Sequence, residues 1–84
     1  MNTGQVTSET VRESIALAAE IKPMLAGRDP GVQAAALVDL VSLFIAGHHP
    51  DVREPVLAVF VEGVRSMVPG QAQEMFGPAG WPRT

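Results

Sequence analysis

At 84 residues the chain is expected to form one domain, of a size that buries only about 60 to 65% of its unfolded surface, so more than modest stability calls for area buried against a partner. The net charge is −3 and cysteine is absent, which excludes disulfides, thiolate catalysis and zinc–thiolate sites. The basic residues Arg12, Lys22, Arg28, Arg53, Arg65 and Arg83 stand singly, so neither a run of phosphates nor an anionic membrane finds a basic stripe to bind.

The start, Met1-Asn-Thr-Gly-Gln-Val-Thr7, is polar and small and is expected to be flexible. It shows neither the basic nor the apolar region of a signal peptide, and the longest apolar stretch is too short to span a bilayer, so the expected location is cytoplasmic. A first helix is predicted to begin near Ser8 or Thr10, the latter at capping-box spacing from Glu13. At helical steps Val11, Ile15, Leu17, Ile21, Met24 and Leu25 share one side, opposite Glu9, Arg12, Glu13 and Glu20. Pro23 falls inside this pattern and is expected to kink the helix or end it near Lys22.

The second predicted helix, Pro30 to Gly47, is the most apolar. Asp29 suits its N-cap, Pro30 its first turn, and Gly47 a left-handed closing residue. Its two sides differ in bulk. Leu37, Val38, Leu40, Val41, Phe44 and Ile45 form a face expected to pack in the core against the other two helices. Ala35, Asp39, Ser42 and Ala46 form a stripe of small residues, flanked by Leu43, that nothing else in the chain evidently covers.

After the turn His48-His49-Pro50-Asp51 a third helix is predicted as far as Val68, with a break or a delayed start near Pro55 and its end set by Pro69-Gly70. Val56, Leu57, Phe60, Val61, Val64, Met67 and Val68 make its apolar arc, and Val59 lies outside it. Residues 71–76 have the composition for one or two turns of a fourth helix. Gly77 to Thr84 reads as an extended tail, with Phe76 and Trp81 as candidate anchors for docking.

An internal regularity links the connections. Leu25-Ala-Gly-Arg-Asp-Pro-Gly-Val32 aligns at an offset of twenty with Ile45-Ala-Gly-His-His-Pro-Asp-Val52. Duplication and repeated use of the same helix punctuation explain this equally well. Short connections favour antiparallel neighbours, so the predicted fold is all-α: an antiparallel up-down-up three-helix bundle over residues 8–69, with a short fourth helix and a tail in residues 70–84.

Little in this chain carries chemistry. His48, His49 and Asp51 are the only cluster with ligand-type side chains, and no third His or any Cys completes a metal site, so they are read as turn and capping residues. Asp39 and Glu62 lie on the less bulky sides of their helices and are expected to face solvent. The attachment serine of acyl carrier proteins, which share this size and acidity, opens a helix between Asp and Leu. Ser42 instead lies late in a helix between Val41 and Leu43, and that reading is set aside. No phosphate loop, nucleophile elbow or basic recognition helix is present.

The expected role is a non-enzymatic, self-associating interaction domain, with no cofactor and with a homodimer or protein partner. Its candidate interface is Ala35, Asp39, Ser42, Leu43, Ala46 and Val59. A ligand-binding bundle with Phe76 to Trp81 as a lid, and an enzyme with a composite site at a dimer interface, are the alternatives.

Overall fold

The computed structural model describes residues 7–82. The protein is all-α, with helices α1 (Ser8–Leu25), α2 (Pro30–Ala46) and α3 (Arg53–Phe76), the last preceded by a 3-10 turn over Pro50–Val52, and with no strand among the described residues. The backbone clusters into two compact units, residues 1–38 and 39–84, divided within α2. Of the segment expected to be flexible, residues 1–6 lie outside the described residues.

In the first unit, α1 starts at Ser8, the earlier of the two predicted positions. Its cap is Thr7, whose Oγ1 accepts the Thr10 N–H at 3.0 Å. Thr10 is therefore the third residue of the first turn and not a cap, so the Thr10–Glu13 box does not form. Pro23 does not end the helix: α1 runs through it to Leu25, and the Ala26 N–H closes the last turn on the Lys22 carbonyl at 3.0 Å. With only two helical residues beyond Pro23, the missing donor disturbs the end of α1 and not its body. Gly27, at φ 75°, then takes the left-handed conformation that reverses the chain.

The turn between α1 and α2 is closed by polar groups. Arg28 Nε donates to the Met24 carbonyl at 3.1 Å, and Gln33 Nε2 reaches back to the Leu25 carbonyl at 2.7 Å. Asp29 caps α2 as predicted, its Oδ1 accepting the Gly31 N–H at 2.8 Å.

In the second unit, α2 ends at Ala46 and Gly47 is not left-handed, contrary to expectation. The reason is that its last carbonyls find other donors. Gly47 N–H bonds to Leu43, His48 N–H to Ile45, His48 Nδ1 to Phe44 at 2.9 Å, and Arg53 Nη2 to Ala46 at 2.9 Å. A left-handed closure has nothing left to satisfy. Of the break or delayed start expected near Pro55, the delayed start is what forms: the 3-10 turn occupies Pro50–Val52 and α3 begins at Arg53. This places Pro55 in the first turn, where a missing N–H costs no intrahelical bond.

The predicted stop at Pro69-Gly70 is not observed, and residues 71–76 are not a separate helix. They are the last turns of α3, which runs through Pro69 to Phe76. Six residues are far too few to nucleate a helix alone, and growing from an existing one removes that barrier. Nor is the segment after Phe76 extended as far as it is described. Gly77, at φ 87°, bonds to the Gln73 carbonyl at 2.8 Å, and the Gly80 N–H bonds to the Gly77 carbonyl at 2.8 Å, forming a compact turn.

No described residue is buried. In the first unit shielding is partial and close to the turn, at Ile21, Leu25, Gln33 and Ala36. In the second it is partial at Val41, Ile45, His48 and Val56, again beside the turn, and at Ala72, Gly77 and Gly80 near the C-terminal end of α3. Phe44 and Phe60 meet ring to ring with centroids 6.4 Å apart. The side chains expected to fill the core are still largely in the open, Leu37 at 46%, Leu40 at 54% and Phe44 at 53% exposure. Polar caps, and not apolar packing, close both turns.

Candidate interaction surface

The residues singled out for an interface lie mainly on the second unit. Asp39, Ser42, Leu43 and Ala46 are exposed along the C-terminal part of α2, and Val59 is exposed on α3. Ala35, also exposed, belongs to the first unit. Leu43 and Val59, at 72% and 73%, are among the most exposed large apolar side chains. The Ser42 hydroxyl donates to the Asp39 carbonyl at 2.9 Å, which leaves its methylene outward on a face of small, weakly polar character. The Asp39 carboxylate is likewise open to solvent, so it sits on this face without the penalty of burial.

Phe76 and Trp81 come together. Their ring centroids are 5.2 Å apart at an interplanar angle of 57°, because the Gly77–Gly80 turn folds the chain back on the end of α3. Such a tilted pair contributes on the order of 1 kcal/mol. Trp81 keeps 69% of its surface exposed, so the contact holds the turn without hiding the ring.

Both histidines are occupied by the helix ends. His48 Nδ1 bonds to the Phe44 carbonyl and its ring stands edge-on to Phe44 with centroids 4.9 Å apart. His49 is the N-cap of the 3-10 turn, its Nδ1 accepting the Asp51 N–H at 3.1 Å. Among the described residues no group of three or more His, Cys, Asp or Glu is placed to hold a metal ion. An open concavity of about 290 Å³ lies along α3 over Gly70, bordered by Ser66, Met67, Gln71 and Glu74.

Sequence reasoning overlooked Arg53, whose Nε and Nη2 bond to the His48 and Ala46 carbonyls at 3.1 and 2.9 Å. Its signal was the place of a lone Arg a few residues beyond a helix C-terminus, where unpaired carbonyls attract a cation. Glu62 and Arg65 form an i,i+3 pair at 3.8 Å, with both side chains about three-quarters exposed, so its contribution is small. No helix among the described residues is long and apolar enough to cross a membrane. No protein-family model, curated protein or solved structure matches the chain.

Proposed function

We propose that the protein is a non-enzymatic helical module that self-associates, a second copy of the chain covering the exposed apolar face of α2 and α3 in the second unit. The observation that carries this reading is the exposure of large apolar side chains on helices that bury no residue. A side chain such as Leu or Phe gains roughly 1.5 to 3 kcal/mol on leaving water, which is a driving force that each such exposed position leaves unused. Large exposed apolar side chains, where they adjoin, mark association surfaces. Small residues at Ser42 and Ala46 beside Leu43 allow a neighbouring helix to approach closely. The scattered cations support no nucleic-acid role.

The test is a charge placed on the face. Leu43→Glu combined with Val59→Glu alters two exposed positions without touching a cap, and is expected to weaken self-association by about tenfold or more in sedimentation equilibrium. An unchanged association constant would rule this face out.

A further inference from the structure

The two turns that align at an offset of twenty residues also share their hydrogen bonds. In the first, Arg28 donates to the carbonyl of Met24 and Asp29 accepts the N–H of Gly31. In the second, His48 bonds to the carbonyl of Phe44 and His49 accepts the N–H of Asp51. Each bond joins positions exactly twenty apart from its counterpart: 28 with 48, 24 with 44, 29 with 49 and 31 with 51. Even the backbone bond from residue 28 to the Leu25 carbonyl is matched by that from residue 48 to the Ile45 carbonyl.

Among these matched bonds the two turns differ in the chemistry of the side chains that make them. The first turn is closed by a guanidinium and a carboxylate, whereas the second is closed by two imidazoles, the side-chain type that exchanges a proton most readily near neutral pH. We propose that the turn between α2 and α3 is a pH-responsive version of the turn between α1 and α2, with His48 and His49 held as opposite tautomers.

The roles follow from the bonds. A carbonyl only accepts, so His48 must carry a proton on Nδ1. A backbone N–H only donates, so His49 Nδ1 must be bare and its proton must sit on Nε2. Adding a proton therefore acts oppositely on the two rings. On His48 it goes to Nε2, leaves the bond to Phe44 in place, and puts positive charge at a helix C-terminus, where it is favoured. On His49 it goes to Nδ1 and removes the acceptor that caps the 3-10 turn. The charged groups around the pair are Asp51, whose Oδ2 lies 3.7 Å from His49 Nδ1, Arg53, bonded to the His48 carbonyl, and Glu54 in the first turn of α3. A protonated His49 can turn to the Asp51 carboxylate, but with side chains 71% and 88% exposed that ion pair does not replace the cap. The capping bond is thus present with His49 neutral and lost when Nδ1 takes up a proton. Acid loosens the start of the 3-10 turn while the end of α2 holds.

Long-range ¹H–¹⁵N NMR of the imidazoles in the full chain reads the tautomers directly. At pH 8 His48 is expected as Nδ1–H and His49 as Nε2–H. Between pH 8 and 5 the hydrogen-exchange protection of the Asp51 amide, corrected for its intrinsic rate, is expected to fall about two- to tenfold, while that of the Gly31 amide, capped by Asp29, stays constant. His49→Asn, which keeps an acceptor at every pH, should abolish the fall at Asp51. The same tautomer on both rings, an equal response of Asp51 and Gly31, or an unaltered pH dependence in H49N would overturn the proposal.

Discussion

Single side chains at the helix ends do much of the structural work in this protein, and Arg53 does the most. Its guanidinium bonds to the last carbonyl of α2, that of Ala46, and to the His48 carbonyl in the turn, joining the end of one helix to the beginning of the next. Hydrogen bonds to a charged donor are stronger than neutral ones, although solvent competes for an exposed group. Arg53→Ala should lower the unfolding free energy by about 1 to 2 kcal/mol in a denaturant titration, and Arg53→Lys should recover only part of this, because an ammonium lacks the planar fork. A loss no greater than about 0.3 kcal/mol would show that the bonds are replaced by water without consequence. At this scale the sequence was legible where a residue has one conventional role. Asp29 before Pro30 reads as a cap and is one. Thr7 was missed because three hydroxyl-bearing residues, Thr7, Ser8 and Thr10, crowd the same start, and local preference does not rank them.

Helix α2 was legible almost to the residue, since an N-cap, a first-turn proline and a long apolar run agree on it. The end of α3 was not. Pro69-Gly70 is a strong stop signal read locally, yet the residues after it, Gln71-Ala-Gln-Glu-Met-Phe76, are good helix formers with no other way to become helical than as an extension. A local rule loses here to the cooperativity of the helix. That outcome leaves α3 with a weak point at Gly70, where an added Cβ meets nothing within 4 Å. Gly70→Ala should therefore raise stability by about 0.5 to 1 kcal/mol, measured as an upward shift of the thermal midpoint. A drop instead would mean that a partner's backbone approaches α3 at this position.

For the molecule as a whole, the all-α class and the three helices could be read from periodicity and punctuation. The location of a core could not. Periodicity tells which side chains share a face, but not whether that face is covered, and Leu37, Leu40 and Phe44, marked as core by their bulk, are about half exposed. The candidate interface shows the same division. Leu43 and Val59 were identifiable as apolar residues left over from the expected packing, while the neighbouring turn chemistry at His48, His49 and Arg53 needed atomic positions.

The proposed self-association would supply the buried area that a small chain with so much open apolar surface lacks, and it makes the folded state depend on the chain's own concentration. The most direct measurement is thermal unfolding by circular dichroism over a hundredfold range of protein concentration, with sedimentation equilibrium on the same samples. Self-association predicts a midpoint that falls with dilution, together with conversion of a species of twice the chain mass to monomer. A cooperatively unfolding monomer with the same midpoint at every concentration would contradict it.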